Sequence, residues 1–330
     1  MLKHLIVLLD DTSVSFCHHD NMKTDRFPMP LTILKEGIKF GMMENLRIQF
    51  VLPDYPLGKD YWKEIMSIDH SIIAPGHVGY SELVPPNTFY QLPDVVTFED
   101  VVTYFDYNKN GNVSYVLRID KNTFFEHVER ISNSIHEVAR LNIIISDIDT
   151  FTENDFGKYK ECLDVLSKSI RRAYYKGKAP QVNLITDRMM LKEMNNCNAG
   201  YSSLTLAPDG KFYICPAFYQ AYSQTPIRDI FDVGSVKHGI NIKNSNLYKI
   251  GYAPLCRYCD AFQCKRCVWL NNKTTYEVNI PSHQQCVIAH LERNASRNLL
   301  ESIRKDVPSF MNGITINEIK YLDPFENIIK

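Results

Sequence analysis

Short apolar runs alternate with helical patterns through the first 190 residues, and each run is continuous rather than alternating. Continuous runs are typical of parallel strands that are covered on both faces, because neither face meets water. The predicted strands are residues 4–9, 47–52, 70–74, 113–119, 142–146 and 181–186, with residues 95–100 as a candidate extra strand. The pattern predicts an α/β fold with about six parallel strands, in a partial (β/α)6 barrel or an open doubly wound sheet.

Helices fill the gaps between the predicted strands, and two of them carry apolar stripes at steps of three and four. One stripe is Phe124, Val128, Ile131, Ile135 and Val138, and the other is Phe156, Tyr159, Leu163, Leu166 and Ile170. Thr123 and Glu126 have the spacing of a capping box, which predicts that the first of these helices begins there. A further helix is expected over residues 31–45, with the apolar positions Leu34, Ile38 and Met42.

The pattern changes after residue 190. Two β-type runs flank Pro208-Asp209-Gly210, a sequence that predicts the turn of a hairpin. The chain is then expected to be rich in loops until a helix over residues 287–305. We predict a partial βα barrel over residues 1–190, a cysteine-rich domain over residues 191–290, and a C-terminal helix and tail over residues 291–330.

Composition narrows the classes of function. The chain has 330 residues with 45% hydrophobic content, and its 37 basic and 38 acidic side chains nearly balance. No binding of nucleic acid or of a membrane surface through charge is therefore expected. The apolar run at residues 5–9 is too short for a signal peptide or a membrane span. We expect a cytoplasmic protein, in which clustered cysteines bind metal more often than they form disulfides.

Seven of the nine cysteines lie after residue 190, and four of them fall in the stretch CRYCDAFQCKRC. The seven are Cys197, Cys215, Cys256, Cys259, Cys264, Cys267 and Cys286. Closely spaced thiolates favour iron–sulfur clusters. One zinc ion is the alternative, held by Cys256, Cys259, Cys264 and either Cys286 or His283. Disulfides or free thiols are the third possibility, and Cys162, beside an apolar stripe, is interpreted as a core residue.

The order of the seven cysteines resembles the SPASM domain of radical SAM peptide-modifying enzymes. In that family a cysteine is followed by nine to fifteen residues, a glycine, four residues and a second cysteine, as Cys197, Gly210 and Cys215 are here. The central C-x2-C-x4-C-x2-C is one residue shorter than the family pattern in two gaps. The resemblance implies two [4Fe–4S] clusters, one held by Cys197, Cys215 and Cys267 with an unidentified fourth ligand, and one held by Cys256, Cys259, Cys264 and Cys286.

The first half resembles radical SAM enzymes in its predicted barrel but lacks two of their motifs. Those enzymes carry C-x3-C-x2-C after the first strand, and its three thiolates hold the cluster that binds S-adenosylmethionine (SAM). Here that loop is LDDTSVSFCHHDN, with the single cysteine Cys17. Pro53-Asp54 stands where the family has Gly-Gly-Glu after the second strand. The resemblance therefore implies that this chain does not cleave SAM.

The combination is similar to the CXXX repeat peptide maturases, which are found beside true radical SAM enzymes and act in the maturation of ribosomally synthesised and post-translationally modified peptides (RiPPs). The stretches SVSFCHHDN, IQFVLPDYPL and LAPDGKFYICPAF carry this resemblance. It implies an accessory maturase whose partner is a cysteine-repeat precursor peptide or a neighbouring radical SAM maturase.

Two alternatives come from the residues themselves. Cys17, His18 and His19 are candidate ligands for a metalloenzyme at the barrel mouth, since thiolate and imidazole suit zinc or iron. A zinc-stabilised peptide-binding or protein-binding module is the second. Acids also end most predicted strands, where a βα barrel builds its sites, although aspartate is common in turns and helix caps as well. This acidic mouth, a candidate site for a cation or a basic peptide, comprises Asp10, Asp11, Asp54, Asp120, Asp147, Asp149 and Asp187. In the metalloenzyme alternative the mouth takes part in the chemistry, and Asp147 and Asp149 are candidate catalytic residues beside Cys17, His18 and His19.

Overall fold

A computed structural model describes residues 2–86, 92–189, 197–222, 231–262, 264 and 267–306. Its first seven strands are β1 (His4–Leu8), β2 (Arg47–Val51), β3 (His70–Pro75), β4 (Val95–Phe98), β5 (Ser114–Ile119), β6 (Arg140–Ile145) and β7 (Gln181–Val182). Each strand pairs in parallel with the next one along the chain. The prediction of an α/β fold around a large parallel sheet is confirmed.

The sequence pattern located these strands but undercounted them by one. The candidate strand at residues 95–100 forms β4, in the sheet between β3 and β5. The run at residues 181–186 gives only the two-residue β7, because the chain turns into a 3-10 helix at Thr186–Arg188. The first apolar run forms β1, which lies inside the sheet rather than at its edge.

Four further strands extend the same sheet beyond β1. They are β8 (Ser203–Leu206), β9 (Lys211–Tyr213), β10 (Asp232–Ser235) and β11 (Gly239–Ile240). β8 runs parallel to β1, and β9, β10 and β11 follow as antiparallel neighbours. The predicted hairpin is confirmed as β8–β9, and Gly210 in its turn has φ of 77°, a left-handed conformation that glycine adopts without strain. The sheet thus joins the two predicted domains, whose division at residue 190 lies outside the described residues.

Helices pack on the sheet and on one another. They are α1 (Leu31–Met43), α2 (Lys59–Ile65), α3 (Tyr80–Leu83), α4 (Val101–Asp106), α5 (Lys121–Ser134), α6 (Glu153–Tyr175), α7 (Ala217–Gln220), α8 (Val268–Thr275) and α9 (His283–Asp306). Further 3-10 helices occupy Ile135–Glu137, Ile148–Thr150, Ser245–Tyr248 and Ile250–Tyr252. All ten residues of the two predicted stripes are buried, and Cys162 lies in the core as expected.

Two details of the helix predictions are wrong. α5 begins before Thr123, because the Asp120 carboxylate caps the helix and accepts the Thr123 N–H at 2.9 Å. Met42 is 62% exposed, although Leu34 is buried as expected. Steps of four residues drift around a helix of 3.6 residues per turn, and Gly41 takes the buried position instead.

The C-terminal helix ties the two parts of the chain together. The helix predicted over residues 287–305 is confirmed as α9, which packs against α6 and begins before the predicted division at residue 290. The region expected to be rich in loops also contains α8. The tail after residue 306 lies outside the described residues. Of the helices that the structure describes, none is long and apolar enough to cross a membrane.

Candidate functional site

A cavity of about 320 Å³ is lined by both the parallel strands and the cysteine-rich segment. The strand side contributes Ile73, Val95, Val116 and Ile144 with the amides of Gln49, Asn142 and Asn183. The opposite side contributes Phe16, Cys17, His18, Cys197, Cys264 and Cys267. Thiols from the first loop and from the C-terminal part therefore meet at one cavity.

Four thiols that are distant in sequence are electrostatic neighbours in the structure, and we call Cys17, Cys197, Cys215 and Cys267 the long-range set. Burial raises the pKa of the Cys17 thiol, and Cys197 and Cys267 raise it further. Burial also raises the pKa of Cys215, followed by the effects of the other three thiols. Burial and Cys197 together raise the pKa of Cys267 to about 12. Cys17 thus joins the three cysteines that the resemblance assigns to one cluster.

The remaining four cysteines of the C-terminal part form a second group, the local set of Cys256, Cys259, Cys264 and Cys286. Burial raises the pKa of the Cys264 thiol, and Cys256, Cys286 and Cys259 raise it further. Cys286 lies in α9, whereas the other three precede α8. The structure therefore brings together the same four cysteines that the resemblance assigns to the other cluster.

Backbone N–H groups point at sulfur atoms in both sets. The donor–acceptor pairs are Ala217 to Cys215, Ala261 to Cys259 at 3.4 Å, and Trp269 and Leu270 to Cys267. Such hydrogen bonds favour the thiolate over the thiol, and they are among the contacts that tune iron–sulfur clusters. Across the described ranges, no three His, Cys, Asp or Glu side chains are arranged to hold a single metal ion. Four thiols with amide donors in each set fit the ligand requirement of a [4Fe–4S] cluster.

The loop that carries Cys17 is fixed to the sheet by Arg118 on β5. This guanidinium is almost fully buried and donates to the carbonyl oxygens of Cys17 at 2.7 Å and His19 at 2.6 Å. It also pairs with Asp20 at 2.8 Å and with Glu99 at 2.6 Å. Three of these four contacts go to the loop, and together they hold it against the strands.

Gln220 at the end of α7 holds the same loop from the C-terminal side. Its amide Nε2 donates to the Ser13 carbonyl oxygen at 2.6 Å, and its carbonyl Oε1 lies 2.9 Å from His19 Nε2. The Met22 N–H donates to the Gln220 backbone oxygen at 3.0 Å. The first loop is therefore bonded to the helix that follows Cys215.

The two histidines beside Cys17 lie in different surroundings. His18 lines the cavity, with Nδ1 3.1 Å from the Ile145 carbonyl oxygen. His19 is fully buried against Gln220 and Trp269, and burial lowers its pKa to about 4. His19 is thus neutral near pH 7 and is not among the residues that line the cavity with Cys17.

The acids of the predicted mouth are largely occupied by contacts within the protein. Asp147 accepts the Lys121 N–H at 2.8 Å, at the start of α5. Asp149 forms an ion pair with Lys273 of α8 at 2.8 Å. Asp187 pairs with Arg140, the first residue of β6, and so lies toward the amino ends of the strands rather than at the mouth.

A second cavity, of about 370 Å³, lies at the carboxyl ends of β4 and β5 and forms an acidic groove. Its charged lining comprises Asp20, Glu99, Asp100, Asp120 and Arg118. Sequence reasoning placed Asp120 at a strand end but missed this grouping. The available signal was the pair Glu99-Asp100 directly after the extra strand.

No family model and no curated protein matches the chain. Solved structures do match. The chain has the fold of anSMEcpe. The structure of hexahistidine-tagged anSMEcpe with bound AdoMet gives a TM-score of 0.62 at 12% identity, over 92% of this chain and 96% of that chain. Native anSMEcpe with bound AdoMet and Cp18Cys peptide gives a TM-score of 0.60 at 13% identity, over 93% and 99%.

Proposed function

We propose that the protein is an accessory maturase for ribosomally synthesised peptides, with a radical SAM-like partial barrel and a SPASM-like cysteine-rich domain. It binds two [4Fe–4S] clusters and a cysteine-repeat precursor peptide or a neighbouring radical SAM maturase, and it does not cleave SAM. The observation that carries the proposal is the gathering of eight cysteine thiols into two groups of four neighbours, each of which contributes to the lining of the cavity.

The cluster ligands are the seven cysteines of the SPASM-like pattern. Cys197, Cys215 and Cys267 hold one cluster, and the local set holds the other. The amide hydrogen bonds to Cys215, Cys259 and Cys267 support iron–sulfur chemistry over plain structural thiols. When bound, such clusters supply electron transfer, or a rigid cross-link where they serve structure.

The cavity supports a role without SAM cleavage. SAM carries a carboxylate, an ammonium group and a sulfonium charge, which in a protein need charged or strongly polar partners. The described lining of this cavity consists of aliphatic, aromatic, amide and thiol groups with one histidine, and it contains no Asp, Glu, Lys or Arg. Two features of the sequence also support a role without SAM cleavage, namely Pro53-Asp54 in place of Gly-Gly-Glu and the single cysteine of the first loop.

The acidic groove supports a peptide partner with basic residues. Asp20, Glu99, Asp100 and Asp120 give it an excess of negative charge over Arg118, which attracts Lys or Arg side chains. The described ends of the sheet, β7 and β11, are only two residues long. They offer few free backbone groups for an added peptide strand, so the groove is the better docking place. anSMEcpe, the protein with the same fold, has been solved with a bound peptide.

Anaerobic purification and reconstitution test the proposal. We expect about eight irons and eight sulfides per chain, which is the content of two [4Fe–4S] clusters. With SAM and a strong reductant, we expect no 5′-deoxyadenosine by chromatography, and multiple turnovers would revive a catalytic role. One or two zinc ions without sulfide would favour the zinc-stabilised binding module. Titration with a cysteine-repeat precursor should give a measurable affinity.

A further inference from the structure

We propose that Cys17 is the fourth ligand of the cluster held by Cys197, Cys215 and Cys267, so that the first loop of the parallel sheet completes a site in the C-terminal part. This inference rests on the proposed function in one respect, namely that the seven cysteines of the SPASM-like pattern hold clusters. Nothing in the cysteine spacing assigns Cys17 to that site, because it precedes the next member of the set by more than half of the chain.

The cavity brings the Cys17 side chain to the other ligands. Cys17, Cys197 and Cys267 line the same space, which Cys264 of the local set also lines. Of the thiols in that lining, the ones that interact electrostatically with Cys17 are Cys197 and Cys267. The fourth thiol, Cys215, lies close enough to interact electrostatically with all three. The three lining thiols together with Cys215 give the number of ligands in the four-cysteine ligation of a [4Fe–4S] cluster.

The backbone of the first loop is fixed where this ligation needs it. Arg118 bonds to the Cys17 carbonyl oxygen itself, at 2.7 Å, and so fixes the residue rather than the loop in general. From the other side, Gln220 bonds to the Ser13 carbonyl oxygen and to His19, and its helix begins just after Cys215. A ligand held by partners outside the metal site is pre-organised for binding. In known metal centres, hydrogen bonds from residues around the ligands orient them in the same way.

Ligation by four thiolates would also be consistent with the proposed lack of SAM cleavage. A cluster with three cysteine ligands leaves one iron free to bind the amine and carboxylate of SAM. With Cys17 added to Cys197, Cys215 and Cys267, every iron of the cluster carries a thiolate, and each thiol releases its proton on binding. Cys17, the single cysteine of the first loop, would then supply the last ligand of a cluster that has no iron left to bind SAM.

Variants of Cys17 test this assignment through iron and sulfide content and through electron paramagnetic resonance (EPR). The Cys17→Ala variant should fall from about eight irons to about four, or to about seven with the EPR signal of a three-iron cluster. Cys17→Ala with Cys215→Ala should lose no more than one cluster, because both residues serve the same one. Cys17→Ala with Cys259→Ala should lose both.

Cys162→Ala is the matched control, since it removes a buried cysteine of the core and should keep about eight irons. A Cys17→Ala variant with full iron, full sulfide and an unchanged EPR spectrum would overturn the role of Cys17 and leave the proposed function standing. Wild-type protein without iron and sulfide after reconstitution would overturn the proposed function itself, and this inference with it.

A measurement on the wild-type chain covers the case in which Cys17→Ala does not fold. The loaded protein and the chelator-stripped protein are alkylated under native conditions, and each cysteine is then quantified by mass spectrometry. We expect Cys17 to be alkylated at least tenfold more slowly in the loaded protein than in the stripped protein. Cys197 and Cys267 should show the same protection. Equal labelling of Cys17 in both forms, with Cys197 protected only when loaded, would exclude it as a ligand.

Discussion

The two cysteine sets differ in how much of the chain they connect. The local set comes from the stretch between Cys256 and Cys286, so a cluster held there would stiffen one segment. The long-range set runs from Cys17 to Cys267 and joins the first loop of the sheet to the segment before α8. Closing a longer loop removes more freedom from the unfolded chain. If both sets hold clusters as proposed, the same ligand chemistry would stiffen one segment in the local set and connect two parts of the molecule in the long-range set.

The two parts are also joined by a contact that needs no metal. Glu292 of α9 is fully buried, accepts a hydrogen bond from the Tyr159 hydroxyl of α6 at 2.6 Å, and pairs with Arg188. Arg188 in turn donates to the Leu184 carbonyl oxygen at 2.6 Å, directly after β7. The molecule thus has a thiol junction at the cavity and an ionic junction between α9, α6 and the segment after β7.

Removal of the clusters should give the largest effect. Structural zinc sites contribute on the order of 10 kcal/mol to folding, and we expect the loss of bound clusters likewise to free the segment that carries the ligands. We expect amide exchange at residues 253–262 and 267–271 to rise about 10,000-fold or more, which equals about 5 kcal/mol. Strands β2 to β6, which are held by apolar burial, should keep their protection.

Hydrogen exchange with mass spectrometry of the reconstituted and stripped proteins makes this measurement. The internal control is α5, whose protection should be the same in both forms. Equal exchange of the ligand-bearing residues in the two forms would mean that packing alone holds them. The cysteine-rich segment would then not differ from strands β2 to β6 in what stabilises it.

Substitution of Glu292 by Gln should give the next largest effect. Gln keeps the size of the side chain but leaves Arg188 as a buried cation without its carboxylate, which costs about 3–5 kcal/mol. Urea unfolding followed by circular dichroism checks this value. Because the ionic junction needs no metal, the loss should be similar with and without clusters.

Glu301→Gln is the matched control, since Glu301 is exposed on the same helix and its replacement should change stability by less than about 0.5 kcal/mol. If Glu292→Gln destabilised the protein no more than this control, the ionic junction would contribute nothing. If it destabilised only the loaded form, the two junctions would be coupled rather than separate.

The sequence predicted the parts of the fold that follow from local periodicity. The strands were found as continuous apolar runs, and the stripe from Phe124 to Val138 was found from its steps of three and four, because burial shapes both patterns over a few neighbouring residues. The local set was found for the same reason, since its spacing is short. The membership of Cys17 in the long-range set could not be found in this way. It depends on β8 pairing with β1, a contact between distant parts of the chain that no local pattern encodes.

Replacement of Asp147 and Asp149 by Asn should give the smallest effect. Asp149 already pairs with Lys273, and Asp147 accepts a backbone N–H, so little of their charge is left for a ligand. We expect the double variant to lose no more than about 1 kcal/mol of stability, as for exposed ion pairs. Neither residue lines the acidic groove, so the affinity for a basic precursor peptide should fall by no more than a few-fold, with a slightly weaker dependence on salt.

Isothermal titration at two salt concentrations measures that affinity, with Asp69→Asn as the matched control. Asp69 is an exposed acid directly before β3, at the amino ends of the strands and away from the acidic groove. Both variants remove charge, but only the double variant removes it at the carboxyl ends. If the two had the same affinity and the same salt dependence, peptide binding would owe nothing to Asp147 and Asp149. The strand ends near α8 would then act only in joining the two parts, as the Asp149–Lys273 pair already does.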